Sequence, residues 1–405
     1  MPRRTDRART RPVSLLLISC LAVASVAAGC GGGSSGPKVA KIGVIAPLDG
    51  GLVQFGRGIR NSVQLAVAQA NARKAVPGWT LRVEALDDSS DPAKGEAAAR
   101  KLAADKAVIG VVGTYNSGVA AKVAPILAAE GIAMVSPGNT DPALTLGPNP
   151  QTPTRPWPSY FRMVPNDNAQ APFLAQQAQS EVKATRVAVV SETKPVSKGL
   201  ADGFVSAFTQ GGGTVAVQRV VPDGTVDFVD VIKDLLAAKP DLLFFGGEYQ
   251  VGAGFRKQAT AAGLTAPVMG GDGLKDDAYI ADAGKPSEGD LASTVGSPVA
   301  SNPSAGPFVA AYAGAHYAEP PSDFGPYAYD AANLLVNAAT KALAGSGSVT
   351  RAVRDQVVAS VQAAQGQGAS GALGFDAFGD TTDKVLTLYR VTDGQWKPVK
   401  TQAVP

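Results

Sequence analysis

The chain has 405 residues, 45% hydrophobic and 18% charged, with 37 Lys+Arg against 34 Asp+Glu and a single histidine, His316. One histidine argues against histidine-based metal sites, His-dependent triads and imidazole acid–base chemistry. The only cysteines are Cys20 and Cys30, so beyond residue 30 no disulfide or thiolate metal site can form and stability must come from burial.

Residues 1–12 carry five arginines (Arg3, Arg4, Arg7, Arg9, Arg11) against one acid, Asp6, and an apolar run over 13–28 ends in Ala27-Ala28-Gly29 before Cys30. A basic start, a short apolar run and small residues at the cut predict a secretory signal peptide over 1–29. The run of about fifteen residues is short for ~30 Å of hydrocarbon. The cysteine after Ala-Ala-Gly resembles the lipobox of bacterial lipoproteins, which implies a lipid on Cys30. A competing Leu17-Ile18-Ser19-Cys20 leaves too little apolar chain before it. Gly31-Gly32-Gly33-Ser34-Ser35-Gly36-Pro37 then reads as a flexible tether, 30–38 in all. Without residues 1–29, Lys+Arg falls from 37 to 32 and Asp+Glu from 34 to 33, a net charge of −1. No basic excess remains to suggest nucleic acid.

From residue 41, short β-branched runs alternate with Ala-rich amphipathic ones. Strands are predicted at 41–46, 80–86, 108–112, 132–135, 186–190, 214–220, 241–245 and 267–269. Helices are predicted at 56–71, 92–104, 118–130, 168–181, 198–210, 226–238 and 252–262. Apolar strands alternating with helices imply parallel sheets covered on both faces, doubly wound by right-handed crossovers. The rhythm breaks at 147–160, rich in proline, and again at 297–307, with Pro298, Pro303 and Pro307. The first stretch cannot be helix or central strand, and the second is irregular. They mark two lobes: 39–163 plus 298–385, and 164–297 plus 386–405, with crossings near 163–165 and 297–298. Helices at 306–317, 324–344 and 350–364 follow. Two strands at 385–391 and 395–399, joined by Thr392-Asp393-Gly394, form a ribbon that could recross to the second lobe.

In a doubly wound sheet the loops at strand C-terminal ends face one crevice. Val108-Ile109-Gly110-Val111-Val112-Gly113-Thr114-Tyr115-Asn116-Ser117-Gly118 is a strand running into a polar loop that opens a helix. Free N–H groups there, with Thr114, Asn116 and Ser117, favour an anion, and the missing P-loop and dinucleotide spacings favour a carboxylate over phosphate. The plain alternative is a helix capped by Ser117. Ser136-Pro137-Gly138-Asn139-Thr140-Asp141-Pro142 sits one unit later, where Gly138 and Thr140 add donors beside Thr114; alone it is an Asx/Pro turn. In the second half Glu248 and Asp272 stand at strand tips among glycines, as ammonium acceptors or as solvated turn acids. A zwitterionic α-amino acid would bridge the two sets. Asp87-Asp88 and Asp276-Asp277 are paired acids that could hold Mg²⁺ or Ca²⁺, although Asp88-Ser89-Ser90-Asp91-Pro92 reads as a strand end and helix cap. His316 reads as a packed or surface helix residue. Trp157 is either a pocket lid or an anchor.

Several of these segments together resemble branched-chain amino-acid (Leu/Ile/Val-type) binding proteins of ABC transporters: Lys41-Ile42-Gly43-Val44-Ile45-Ala46-Pro47-Leu48-Asp49-Gly50-Gly51, Gln54-Phe55-Gly56, Asp87–Pro92, Val108–Ser117, Glu130–Pro137 and Phe245-Gly246-Gly247. The resemblance runs in order from 41 to 391. It implies a bilobal periplasmic-binding-protein type I fold of the Venus-flytrap kind, with three hinge crossings. By position it makes Thr114 a carboxylate ligand with Gly138 and Thr140, Asp272 the ammonium ligand, and Phe55 an aromatic near the ligand. Two positions depart from the pattern: Glu248 replaces an aromatic, and Val196 replaces a tyrosine that caps the pocket. An aliphatic ligand is thereby put in question, since Glu248 would need a partner, solvent or a polar or cationic ligand. A disulfide of some relatives is missing, its positions being Ser90 and Gly113.

The expected function is therefore capture of an amino acid or similar molecule, without catalysis or cofactor. The expected partners are permease subunits and their ATPase, the protein being a monomer lipid-anchored at the outer face of the cytoplasmic membrane. A ligand-sensing subunit of the same fold is the alternative.

Overall fold

A computed structural model describes residues 38–149 and 152–405. The expected signal peptide, Cys30 and all of the tether but Lys38 lie outside the described residues. The described residues form one compact unit.

Two sheets organise it. The first contains β1 (Lys38–Ala46), β2 (Trp79–Asp87), β3 (Val108–Gly113), β4 (Ala133–Ser136) and β5 (Tyr160–Arg162), all parallel in the order β2-β1-β3-β4-β5. The second repeats that order with β6 (Arg186–Glu192), β7 (Thr214–Val221), β8 (Leu242–Gly246), β9 (Val268–Gly270) and β10 (Leu291–Val295) as β7-β6-β8-β9-β10. Beyond a two-residue ribbon of β11 (Gly366–Gln367) and β12 (Ala372–Leu373), antiparallel β13 (Val385–Thr392) and β14 (Gln395–Ala403) extend the second sheet from its β10 edge. Asp393 and Gly394 turn that hairpin with φ of 55° and 69°, the positive-φ pair that Asp-Gly supplies most easily.

Helices cover both faces. On the first lobe these are α1 (Val53–Ala72), α2 (Pro92–Ala104), α3 (Ser117–Ala129) and the single turn α4 (Ala143–Leu146). The second lobe carries α5 (Asp167–Gln177), α6 (Pro195–Gln210), α7 (Val229–Ala238), α8 (Tyr249–Ala261) and α9 (Asp277–Ala283). Then α10 (Gly306–Gly314), α11 (Gly325–Ala342) and α12 (Arg351–Gln362) return to the first. All six residues of β3 are buried, as expected of a central parallel strand with helices on both faces. Packing there is close: a Cβ on Gly110 would lie 2.5 Å from Leu335 of α11.

The chain crosses between sheets three times: from β5 to α5, after β10, and from Asp380, which bridges Arg162, to β13. Fully buried Arg162 ties two crossings together. Its Nε donates to Asp380 Oδ1 at 2.6 Å and Nη1 to the Asp141 carbonyl at 2.8 Å, and Nη2 donates to Thr145. Asn166 donates to the other Asp380 oxygen at 2.8 Å.

Three elements depart from the expected pattern. Residues 160–162 form an edge strand directly after the proline-rich stretch. The run 291–295 carries Ser293 and Thr294 in its middle, which hides a buried strand; Ser293 is accommodated by donating to Gln170 Oε1 at 2.7 Å. The Asp276-Asp277 pair opens a helix rather than a metal site, with Asp276 accepting from Ala278 N at 2.7 Å. In the other acid pair, buried Asp88 accepts from Ser90 N at 2.8 Å through one oxygen, and its second oxygen has no hydrogen-bond partner. Asp87 Oδ1 accepts from the backbone of Leu48, Asp49 and Ser89, and Asp91 caps α2. His316 is exposed in the turn after α10. Trp157 packs partly buried against the cluster around Ile45, Val111 and Tyr160, so it anchors the proline-rich segment. No described helix is long and apolar enough to cross a membrane.

Candidate functional site at the interlobe cleft

The C-terminal tips of both sheets converge on one cleft with an empty volume of about 490 Å³ including its mouth. Tyr115, Asn116, Ser117, Gly138 and Thr140 line it from the first lobe, facing Asp167, Val196, Ser197, Leu200, Gly247, Glu248 and Gly271–Gly273. Of the residues singled out from sequence, Gly138, Thr140, Val196, Glu248 and Asp272 line the cleft, while Thr114 and Phe55 lie behind its wall. Thr114 is fully buried and its Oγ1 donates to the Asn116 carbonyl at 2.9 Å. Phe55 stacks behind Tyr115, ring centroids 4.8 Å apart, within a cluster completed by Phe324 and Tyr249.

The first lobe's loops are stitched together by their own side chains. Ser136 Oγ donates to the Thr114 carbonyl at 3.0 Å and accepts from Asn139 N at 2.9 Å. Asn139 Nδ2 donates to the Tyr115 carbonyl at 2.7 Å, and Tyr160 donates to Asn139 Oδ1 at 3.0 Å. Ser117 Oγ accepts from the backbone of Thr140 and Asp141, both at 3.2 Å. Its own proton is left to donate into the cleft, beside leading N–H groups of α3 that have no intrahelical acceptor. The cap of α3 is Asn116, in extended conformation, rather than Ser117.

Charge gathers on the other wall. Gln170 Nε2 donates to Asp167 Oδ1 at 2.9 Å and to Asp272 Oδ1 at 3.0 Å, so two buried carboxylates meet around one amide. Burial pushes the Asp272 carboxyl up to about 6. Burial and the neighbouring Asp272 push Asp167 well above the usual range. Lys194 supplies the partner that Glu248 needs: Glu248 Oε2 accepts from Lys194 Nζ at 2.7 Å. Glu248 Oε1 accepts from Asn116 Nδ2 at 2.7 Å, a bond across the cleft. Burial alone would lower the Lys194 ammonium, yet Glu248 and Glu192 raise it. Glu192, fully buried, accepts from Glu248 N at 3.0 Å. Gly247 is required for that approach, because a Cβ there would lie 2.6 Å from Glu192 Oε2. Two further contacts hold the lobes together: Tyr249 donates to the Gly51 carbonyl at 2.5 Å, and Lys275 pairs with Asp323 at 2.8 Å.

Sequence reasoning missed Tyr115, Asp167, Gln170, Glu192 and Lys194. The tip rule that selected Glu248 applies equally to Glu192 and Lys194, at and just beyond the end of β6. Asp167 offered a weaker signal, an acid opening the first helix after a crossing.

Two parallel-sheet lobes of identical strand order, joined by three crossings around a polar cleft, define a bilobal solute-binding protein. A model of the periplasmic binding proteins matches residues 39–395. A Leu/Ile/Val-binding protein homolog from Brucella melitensis is 33% identical, aligned over 62% of this chain and 66% of that relative. That share is just under two thirds of the relative's length. A second homolog, from Brucella abortus, is 31% identical over 74% of this chain and 78% of its own. Among solved structures, a leucine binding protein from Thermotoga maritima superposes with a TM-score of 0.77 at 26% identity, covering 90% of this chain and 99% of that one. The chain belongs to the periplasmic binding proteins, in their Leu/Ile/Val-binding branch. These are extracytoplasmic binding proteins and not enzymes.

Proposed function

We propose that the protein captures an amino acid or amino-acid-like molecule in the interlobe cleft and delivers it to the permease of an ABC transporter. The observation that carries this reading is the division of the cleft: neutral donors at Ser117 and the start of α3 oppose the carboxylates of Asp167 and Asp272. A ligand α-carboxylate suits the first set and its α-ammonium the second. Thr114 then acts as a positioning residue that holds Asn116, and Phe55 as support for Tyr115, with Gly138 and Val196 shaping the walls. A ligand that touches both lobes favours the closed state by its differential contacts. A lipid on Cys30 keeps the protein, as a monomer, beside its permease and ATPase.

A thermal-shift screen of the purified protein, freed of co-purified ligand, tests the reading. A ligand that binds only the native state raises the melting temperature by mass action. At least one α-amino acid is expected to raise it, and Asp272→Asn to reduce the shift. A screen in which no α-amino acid moves the transition overturns the proposal.

A further inference from the structure

Resting on that reading, the wall beside Asp272 says more about the ligand. Three carboxylates line the cleft, Asp167, Glu248 and Asp272, and the lining contains no lysine or arginine. Among the described residues the cation paired with this wall is Lys194, and it is shared: 2.7 Å from Glu248 and 3.7 Å from Glu192. Asp167 is held towards its protonated form, but Asp272 and Glu248 still outnumber Lys194; a zwitterionic backbone adds no net charge, so an aliphatic amino acid leaves the closed cleft negative. There is also an unmet acceptor. Asn116 Oδ1 is buried without a hydrogen-bond partner, while the Nδ2 of the same amide is committed to Glu248. Glu248 uses two of roughly four acceptor directions that a carboxylate offers. Its Cγ lies 3.6 Å from where a Gly273 Cβ would be, one residue from the ammonium-facing Asp272.

We propose that the ligand carries a cationic side chain, an ammonium or guanidinium received by Asn116 Oδ1 and Glu248, so that the site selects a basic amino acid over an aliphatic one. Lys194 stays in place as the internal counter-ion that fixes the Glu248 carboxylate. Discrimination follows from the polar groups rather than from shape. A leucine-like side chain would cover Glu248 and the Asn116 oxygen without donating to either, and buried polar groups left unpaired are what a site rejects most strongly. Aromatic and acidic anions are disfavoured by the same charge.

The test is isothermal titration of the purified protein with L-lysine, L-arginine, L-leucine and L-glutamate. Wild type is expected to bind lysine or arginine at least ~10-fold tighter than leucine, the low end for a charge-assisted hydrogen bond. Glu248→Gln should cost the basic ligand ~10–100-fold and move leucine by less than ~3-fold. Lys194→Met, which leaves the Glu248 carboxylate but removes its internal cation, should tighten the basic ligand. Leucine binding tighter than lysine, or Glu248→Gln weakening both alike, overturns the inference while leaving amino-acid capture intact. Silence with every α-amino acid overturns both.

Discussion

At the cleft, the strand tips of the first lobe end in Tyr115, Asn116, Ser117, Gly138 and Thr140, all uncharged, whereas those of the second end in Glu192, Lys194, Glu248 and Asp272. The scaffolds behind them share one strand order. Their interiors differ as well. The first lobe packs aliphatic residues such as Ile42, Val44, Ile59 and Val112, while the second stacks Phe204 on Phe244 and Phe245 on Phe255. Topology therefore decides where the cleft lies, and a few residues after each strand decide what it binds.

Among the described residues each lobe also buries an arginine–aspartate pair, and these provide the largest contrast to break. Arg162 meets Asp380 at 2.6 Å where two crossings touch, and Arg256 meets Asp290 at 3.1 Å inside the second lobe. Removing one member of a buried pair strands the other charge and costs ~3–5 kcal/mol. Arg162→Met should lower denaturant stability by that much and also weaken ligand binding, because it frees the crossings. Arg256→Met should destabilise without touching affinity, its carbonyl acceptors being on Pro286 and Ala266. Equal effects of both on affinity, measured by titration calorimetry, would erase the distinction between hinge and lobe.

Next in size is the charge asymmetry itself. Asp272→Asn should cost about 2–3 kcal/mol of ligand affinity, roughly 30–150-fold. Ser117→Ala, on the neutral wall, should cost about 1 kcal/mol. A reversal of that order in titration would mean that the carboxylate end, not the ammonium end, dominates binding.

How much of this contrast was readable beforehand differs between the lobes. Val108–Gly113 and the loop after it announced a strand, a turn and a helix start, and the cleft lining at Gly138 and Thr140 followed from adjacency of tips. Strand Leu291–Val295 did not announce itself, because Ser293 and Thr294 look solvent-facing until Gln170 is seen to accept from Ser293. Lys194 escaped for a related reason: its importance comes from Glu248, 54 residues away, and pairing at that separation leaves no local pattern. Thr114 shows the opposite failure. It stands at the right place in the chain, but its side chain turns inward to Asn116.

Acidification separates the walls in another way, through Asp272. Its folded carboxyl titrates near 6, raised above the ordinary 3.8 by burial. The native state thus binds the proton more readily than the unfolded one, so this group lowers stability as pH rises from about 4 through 6. Ligand binding runs oppositely, since the ammonium needs an ionised Asp272. Affinity should fall up to about tenfold per pH unit below 6 while the empty protein gains stability from this group. Titration in Asp272→Asn should be shallower over the same range, the remaining slope belonging to Asp167, and a wild-type affinity unchanged from pH 7 to 5 would remove Asp272 from the ammonium site.

The smallest effect concerns two helix caps of unequal setting. Thr350 caps α12 on the first lobe, accepting from Val353 N at 3.3 Å, and Asp276 caps α9 on the second, accepting from Ala278 N at 2.7 Å. Thr350→Ala should cost about 1 kcal/mol, the usual value of a lost cap. Bond length alone would rank Asp276→Ala higher. Burial, however, raises the Asp276 carboxyl, and Asp277 beside it adds repulsion. Deleting a desolvated, repelled charge returns part of what the cap contributed, so Asp276→Ala should cost less than Thr350→Ala at pH 7. At lower pH, where burial makes this carboxyl take up its proton ahead of an ordinary aspartate, the native state holds less buried charge there. The penalty for Asp276→Ala should then grow towards that of an ordinary cap, a crossover that denaturant titrations at pH 7 and below would show directly. An Asp276→Ala cost that exceeds Thr350→Ala at pH 7 would mean the capping bond outweighs desolvation of this carboxylate.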